Sequence, residues 1–185
     1  MGYELGHASL AKWGRSHVAG ARRPGARYRM RRRGESGAIS ETLPAGAVCG
    51  IDFSAESVAT SLRKNAGAVA AGRCEVRQGD VSRLPYADAS FDLVTAFETV
   101  YFWPDVSAAF AEVFRVLGPS GVFLIVNEES GDSRWCSIVD GMRTYTADAL
   151  AGWLRAVGFV DVRSDVRGEG GALCLVARKG PDSVA

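Results

Sequence analysis

The chain alternates short apolar segments with segments of helical periodicity, and this alternation restricts its fold more than any other feature. Residues 47–52, AVCGID, are mostly apolar and end in an acid, as expected of a strand buried on both faces of a parallel sheet. A helical segment follows at 54–70, with Ser54 as its N-cap. Because this order repeats, the sequence predicts an open, mostly parallel sheet with helices on both faces.

The later elements follow from the same signals. Strands are predicted for residues 74–80, 91–99 and 121–129, and helices for 106–118 and 146–159. The sequence GPSG at 118–121 should end the first of these helices, and Thr146 should cap the second. Residues 161–179 contain two strands around a glycine-rich turn, so we expect the sheet to close with an antiparallel hairpin.

The composition is that of a single globular domain. The chain has 185 residues, 47% of them hydrophobic, and no apolar run reaches the roughly 18 residues of a membrane span. The N-terminus lacks the apolar core of an export signal, so we expect a cytoplasmic protein. The four cysteines are widely spaced and form no CxxC pair, so no metal site is expected. We divide the chain into an N-terminal helix at 1–19, an arginine-rich segment at 20–42 and an α/β core at 43–180.

The arginine-rich segment differs in charge from the rest of the chain. Residues 22–33 contain seven arginines and no acid, whereas the whole chain has a net charge of +1, so the rest carries about −6. Such an acidic remainder is not typical of a nucleic-acid-binding domain. We expect residues 22–40 to be poorly ordered, because they combine high charge with few residues to bury. The alternative is a basic surface loop, which could bind RNA.

Acidic residues follow two of the predicted strands, where a sheet of this type binds its ligands. Asp52 closes the first clear strand and can accept both hydroxyls of a ribose, each bond contributing about 1.5–3 kcal/mol. It can equally cap the helix that begins at Ser54. Asp80 closes the next strand, where it either accepts from the amine of an adenine or serves as an ordinary turn aspartate.

The strand at 91–99 ends where a substrate would meet a cofactor. Glu98 can orient or deprotonate an acceptor there, with Tyr101 close by in sequence, although a strand-end glutamate can also be simply solvated. The aromatic residues around it are expected in the core or in a pocket wall. Further acidic and histidine side chains are weaker candidates: Glu128, Glu129, His7 and His17.

Three segments in this order resemble the class I S-adenosylmethionine-dependent methyltransferases, in particular the small-molecule type. They are VCGIDFSAESV at 48–58, GDVSRLPYADASFDLVTAFETVYFWPD at 79–105 and AEVFRVLGPSGVFLIV at 111–126. The resemblance implies an α/β fold with a Rossmann-like, doubly wound sheet, S-adenosylmethionine as cofactor and a small-molecule acceptor. Nucleic-acid amino-methyltransferases of this class carry a (D/N)PP(Y/F) signature where this chain has AFETVY, so a nucleic-acid acceptor is not expected.

The resemblance also implies roles for individual residues. The strand-end acid would hold the ribose, the residue after it would pack on the adenine, the next pair would meet the adenine edge, and two residues of the following strand would line the methionine end. In that order these residues are Asp52, Phe53, Asp80, Val81, Ala96 and Phe97. The candidate catalytic residues are Glu98 and Tyr101.

The family's first strand ends in a glycine-rich turn of the form DxGCGxG, which this chain lacks. Its place is taken by the arginine-rich segment, which has no apolar run and no suitable glycine pair. We therefore expect the first strand and the glycine loop to be missing or disordered, with a gap in the centre of the sheet. Read one base later, codons for residues 27–41 can encode DIGCGGGENLARFLK, so we hypothesise that the segment comes from a shifted reading frame.

The sequence favours methyl transfer from S-adenosylmethionine to a small molecule, impaired in this chain by the missing loop. One alternative is a non-catalytic remnant or nucleic-acid-binding protein that uses the arginine-rich segment. Another is an NAD-dependent dehydrogenase, since a strand-end acid also suits a dinucleotide ribose. The missing glycine fingerprint and the closing hairpin argue against the dehydrogenase.

Overall fold

The computed structural model describes residues 13, 16–17, 28–30, 48–127, 141–167 and 171–181, and for residues 28–30 it describes the backbone. The strands within these residues are β1 (Tyr28–Met30), β2 (Val48–Asp52), β3 (Cys74–Gln78), β4 (Phe91–Phe97), β5 (Leu117–Asn127), β6 (Asp161–Val166) and β7 (Leu173–Arg178). The helices are α1 (Ala55–Lys64), α2 (Ala66–Ala70), α3 (Val106–Val116) and α4 (Ala147–Val157), and a 3-10 turn spans Val100–Phe102.

The strands form one sheet in the order β3-β2-β1-β4-β5-β7-β6. Strands β1 to β5 pair in parallel, whereas β7 is antiparallel to both of its neighbours, β5 and β6. The chain runs outward from β1 to β3 and then returns to β4 on the other side, so the strand order reverses between β1 and β4. An open sheet binds its ligands beyond the carboxyl ends of the strands at such a reversal. The predicted Rossmann-like sheet with a closing antiparallel hairpin is confirmed.

The expected gap in the centre of the sheet is wrong. Residues 28–30 of the arginine-rich segment form β1, which pairs with residues 48–50 of β2 and with residues 93–94 of β4. An empty position would leave N–H and C=O groups of two central strands without partners, and any extended backbone can satisfy them. A segment without an apolar pattern can therefore fill this position. Of residues 27–33, where the shifted frame would encode the glycine turn, the structure describes only 28–30, which form β1.

Two predicted boundaries also differ from the structure. Strand β3 ends at Gln78, so Asp80 lies in the turn that follows. Strand β5 begins at Leu117, directly after α3, although GPSG was expected to separate the two elements. Glycine is required at position 121, because a Cβ there would lie 2.7 Å from the carbonyl oxygen of Gly118. The predicted N-terminal helix lies mostly outside the described residues, and Trp13 and Ser16 are helical within it.

The core lies on both faces of the sheet. Residues 121–127 of β5 are all buried, as expected of a central strand. Phe123 and Ile125 belong to the larger apolar cluster, which includes residues of α3 and α4, whereas Leu124 and Val126 belong to a second cluster. We call the first of these the α3/α4 cluster. Because both faces of the central strands are covered, the carboxyl ends of the strands are the part of the sheet that can receive a ligand.

Helices α3 and α4 each begin at a defined N-cap. Asp105 Oδ1 accepts a hydrogen bond from the Ala108 N–H at 2.9 Å, and Thr146 Oγ1 accepts one from the Ala149 N–H at 3.2 Å, as the sequence predicted for Thr146. Gly158 ends α4 with φ 119°, a conformation that favours glycine. Within the described residues no helix combines the length and the apolar character needed to cross a membrane.

Candidate functional site

Asp52 ends β2 and has one carboxylate oxygen available. Its Oδ1 accepts a hydrogen bond from the Ser54 N–H at 2.9 Å, and Ser54 Oγ accepts one from the Ser57 N–H at 3.3 Å. Ser54 therefore caps α1, as predicted, and Asp52 fixes the turn before it. Within the described part of the chain, Asp52 Oδ2 has no hydrogen-bond partner. The two alternatives for Asp52 are thus compatible, because one oxygen orders the turn and the other can accept from a ligand.

The ends of β2 and β3 are tied together just beyond Asp52. The Gly79 N–H donates to the Asp52 carbonyl oxygen at 3.0 Å, and Gln78 Nε2 donates to the Phe53 carbonyl oxygen at 2.9 Å. The Phe53 side chain is nevertheless 65% exposed. An aromatic ring that is held by ordered backbone and is largely exposed offers surface on which a planar ligand can stack.

Asp80 lies in the turn after β3. Its Oδ1 accepts from the Ser82 N–H at 2.8 Å, the hydrogen bond of an ordinary turn aspartate. The side chain is exposed, whereas the next residue, Val81, is 3% exposed and packs in the α3/α4 cluster. Asp80 thus makes the turn hydrogen bond and still presents a carboxylate to solvent.

The loop after this turn is anchored to α3. Arg115 donates to the carbonyl oxygens of Tyr86 at 2.8 Å and Leu84 at 3.1 Å, and Glu112 Oε2 accepts from the Leu84 N–H at 2.7 Å. Glu112 also accepts from Arg115 at 2.7 Å, and hydrogen bonds to Glu112 and Asp88 raise the pKa of the guanidinium. These bonds hold the loop, and with it the neighbouring Asp80, in a fixed position.

A cleft of about 370 Å³ lies at the carboxyl ends of β2 and β3. Its lining comes from the end of β2, the turn after β3 and the segment after β4, and consists of Phe53, Gln78, Gly79, Asp80, Val81, Phe102, Trp103 and Pro104. The lining combines aromatic surface with one carboxylate and one amide. Such a cleft suits a planar ring whose edge carries hydrogen-bonding groups.

The cleft joins only some of the residues that the sequence analysis selected. Phe53, Asp80 and Val81 line it, and Asp52 immediately precedes Phe53. Ala96 and Phe97 do not line it: both are 1% exposed, Ala96 in the α3/α4 cluster and Phe97 in the cluster on the opposite face. The two residues of β4 therefore face opposite sides of the sheet.

The two candidate catalytic residues follow β4. Glu98 is half-buried and has φ 52°, a left-handed conformation that is uncommon outside glycine and recurs at functional sites. Its N–H donates to the Val126 carbonyl oxygen at 2.8 Å. Tyr101 is 3% exposed, and its carbonyl oxygen accepts from the Arg143 N–H at 2.9 Å. Neither side chain lines the cleft.

The sequence analysis did not select several residues that the structure brings to this edge. Gln78 and Pro104 line the cleft, and Thr99 and Asn127 are buried at the ends of β4 and β5. The aromatic segment after β4 was the one signal in the sequence, and Phe102 and Trp103 do form a wall of the cleft.

The weaker candidates lie elsewhere. His17 contacts Asp165 of the edge strand β6, with Nε2 and Oδ2 3.0 Å apart, and does not line the cleft. Glu128, Glu129 and His7 lie outside the described residues. The described ranges contain no group of three or more histidine, cysteine or acidic side chains that could hold a metal ion.

Comparison with known sequences gives a match for half of the chain. Residues 34–125 match a family model described as a methyltransferase domain. The demethylmenaquinone methyltransferase of Lactiplantibacillus plantarum is 37% identical over 94 residues, which are 50% of this chain and 39% of that protein. The chain spans about a third of the length of the curated relatives it matches.

Comparison with solved structures supports the fold. The cyclase SpnF superimposes with a TM-score of 0.75 at 20% identity, over 91% of this chain and 80% of that one. A SAM-dependent methyltransferase from Methanosarcina mazei superimposes with a TM-score of 0.65 at 18% identity, over 89% of this chain and 97% of that one. Since SpnF is named as a cyclase, the fold alone does not fix the chemistry.

Proposed function

Because the chain belongs to the class I S-adenosylmethionine-dependent methyltransferases, we propose that it transfers a methyl group from S-adenosylmethionine to a small-molecule acceptor. The observation that carries the proposal is the cleft at the ends of β2 and β3. There Phe53, Asp80 and Val81 lie together, next to a carboxylate oxygen of Asp52 that has no partner within the described chain.

The residues present fit the nucleoside half of the cofactor. Asp52 Oδ2 would accept from the ribose hydroxyls, and the exposed ring of Phe53 would cover one face of the adenine. The Asp80 carboxylate would accept from the adenine amine, beside the apolar surface of Val81. The two aspartates are available for these roles, because the turn hydrogen bonds use only one oxygen of each.

The methionine half of the site is where we propose that this chain is impaired. Binding there should depend on the glycine-rich turn after β1, whose backbone N–H groups would face the cofactor. The family match begins at residue 34, after the residues at which that turn is expected. The hypothesis that residues 27–41 derive from a shifted reading frame is tested directly by the codons of the gene. Codons that do not yield the glycine turn one base later would overturn the hypothesis.

The chain's own residues would position and deprotonate the acceptor. The cofactor, when bound, supplies an electrophilic methyl group on a sulfonium. Glu98 would orient the acceptor and accept its proton from its position directly after β4, where its backbone has φ 52°. Tyr101 would pack beside it and exclude water. Since methyl transfer depends largely on alignment, this arrangement needs no covalent protein nucleophile.

The acceptor we propose to test first is a reduced naphthoquinone. Relatives that match this chain are named as demethylmenaquinone methyltransferases. A hydroquinone ring has an electron-rich carbon beside its hydroxyl group, which can attack the methyl carbon: a C–C bond would form, the C–S bond would break with S-adenosylhomocysteine as leaving group, and the ring carbon would lose one proton. Incubation with 1,4-dihydroxynaphthalene and isotope-labelled S-adenosylmethionine should yield a labelled methylnaphthoquinol. Label on the protein alone, or none on the naphthalene ring, would exclude this acceptor.

A thermal-shift experiment separates methyl transfer from the two other functions that the sequence left open. A ligand that prefers the folded chain raises its melting temperature by mass action. We expect a rise with S-adenosylhomocysteine and none with NAD or a short RNA. A rise with NAD alone would favour a dehydrogenase, and a rise with RNA alone would favour a nucleic-acid-binding protein that uses the arginine-rich segment.

A further inference from the structure

The ends of β4 and β5 contain buried polar side chains that lack hydrogen-bond partners. Asn127, the last residue of β5, is 0% exposed, and neither its Nδ2 nor its Oδ1 has a partner within the described chain. Thr99, two residues after β4, is 9% exposed, and its Oγ1 is likewise unpartnered there. Asn65, by contrast, is 5% exposed and donates to the Ser61 carbonyl oxygen at 2.7 Å.

These two residues lie at the same edge of the sheet. The Glu98 N–H donates to the Val126 carbonyl oxygen, so Thr99 and Asn127 each directly follow one member of a hydrogen-bonded pair. Side chains alternate along a strand, which places Asn127 on the face of Phe123 and Ile125 in the α3/α4 cluster. Its neighbour across β7, Leu173, belongs to the same apolar cluster.

A buried polar group without a partner destabilises a fold by about 1–3 kcal/mol. Six buried apolar or glycine residues precede Asn127 in β5. An apolar residue at position 127 would continue this run without the free-energy cost of an unpartnered polar group. The side chains therefore point to a partner that arrives with a ligand. The amide of Asn127 and the hydroxyl of Thr99 are uncharged, and each can donate and accept hydrogen bonds. They therefore match a neutral ligand group that can also donate and accept hydrogen bonds.

We infer that Asn127 and Thr99 form the polar anchor of the acceptor site and bind a neutral hydroxyl group of an otherwise apolar acceptor. The inference rests on the proposed function, since it assigns the anchor to the acceptor rather than to the cofactor. Aromatic residues follow β4, from Tyr101 to Trp103. A ring compound with a single hydroxyl group is therefore the appropriate probe.

The test compares 1-naphthol with naphthalene, which lacks the hydroxyl group, by equilibrium dialysis against the full chain without cofactor. We expect 1-naphthol to bind about tenfold more tightly than naphthalene, the effect of a hydrogen bond of about 1.4 kcal/mol. Asn127→Leu should remove this preference while leaving the affinity for naphthalene unchanged. Thr99→Val, which keeps the side-chain shape, should reduce the preference and serves as the second variant if Asn127→Leu does not fold.

Thermal unfolding of the same proteins separates an anchor from a structural role. Asn127→Leu should melt no lower than the wild type, because it removes an unpartnered polar group. Asn65→Leu, the matched control, should melt lower because it breaks the hydrogen bond to Ser61 and should keep the preference for 1-naphthol. The inference is overturned if the wild type has no preference for 1-naphthol, or if the preference survives in both Asn127→Leu and Thr99→Val. Since no methyl transfer is measured, inactivity with S-adenosylmethionine would count against the proposed function and leave this result standing.

Discussion

At the scale of single residues, Asp52 illustrates how one carboxylate can hold a turn and bind a ligand. Its Oδ1 is engaged by the Ser54 N–H, whereas Oδ2 has no partner within the described chain. Holding the turn requires only one carboxylate oxygen of Asp52, and Ser54, not Asp52, caps α1. The ligand-binding role of Asp52 can therefore be separated from its structural one by substitution.

We predict that Asp52→Asn lowers the affinity for S-adenosylhomocysteine by about 1.5–3 kcal/mol, roughly 10- to 150-fold, because a charged acceptor is lost from the ribose site. The asparagine oxygen can still accept from Ser54, so the melting temperature without ligand should stay near that of the wild type. Calorimetric titration measures the affinity, and Asp148→Ala, in the first turn of α4, is the control. Wild-type affinity in Asp52→Asn would contradict the ribose role.

Cys174 gives a second prediction at this scale. The residue is 1% exposed, and burial raises the pKa of its thiol to about 12. The reactive thiolate is therefore scarce at moderately alkaline pH. We expect iodoacetamide at about pH 8.5 to leave Cys174 unmodified in the folded chain and to alkylate it in urea, as measured by peptide mass spectrometry. Equal rates in both states would show that the thiol is accessible.

Part of the site could be predicted from the sequence. Asp80 was selected because it closes a predicted strand, and Phe53 and Val81 were selected through the family resemblance; the cleft brings all three together. Asn127 could not be selected, because an asparagine after an apolar run is normally the first residue of a loop. Only the three-dimensional packing reveals that this side chain is fully buried and has no hydrogen-bond partner among the described residues.

At the scale of elements, β1 is the main departure from the sequence analysis. A strand buried between two others normally has a continuous apolar sequence, which Tyr-Arg-Met is not. The prediction failed because it relied on side chains, whereas the register of β1 with β2 and β4 depends on backbone hydrogen bonds. Strands β2, β4, β5 and β7 have clear apolar runs. The sequence located these strands and the more polar β3 and β6 to within a few residues.

We predict that replacing residues 28–41 with the shifted-frame peptide raises the affinity for S-adenosylhomocysteine by roughly 30- to 150-fold, because two or three backbone hydrogen bonds of about 1 kcal/mol each are regained. Calorimetric titration of the original and repaired chains gives the comparison. A scrambled peptide of the same composition in the same position is the control. Equal affinity in the original and repaired chains would contradict the proposal that the cofactor loop has been lost.

At the scale of the whole molecule, Lys179 joins the chain after β7 to the end of α3. It is 1% exposed, and its Nζ donates to the carbonyl oxygens of Phe114 and Leu117 at 2.9 Å each. The ammonium also lies 4.5 Å from the centre of the Phe114 ring. One side chain thus satisfies carbonyl groups at the point where α3 passes directly into β5.

We predict that Lys179→Met lowers the free energy of unfolding by about 1–3 kcal/mol, because these carbonyl groups lose a donor. Urea denaturation measures the change, and Lys64→Met on an exposed position of α1 should differ from the wild type by less than about 0.5 kcal/mol. Burial lowers the pKa of Lys179, so the unfolded chain holds the proton more tightly. The advantage of the wild type should therefore increase from about pH 8 to about pH 10. Equal denaturation midpoints for wild type and Lys179→Met would contradict this role.

Strand β1 completes the sheet with three residues that pair on both sides through the backbone. Nearly any sequence can satisfy that requirement, whereas a cofactor turn after it accepts few residues besides glycine. The position of β1 in the sheet therefore tolerates substitutions that a cofactor turn does not. The fold of this chain can thus persist where, as we propose, the cofactor turn has been lost.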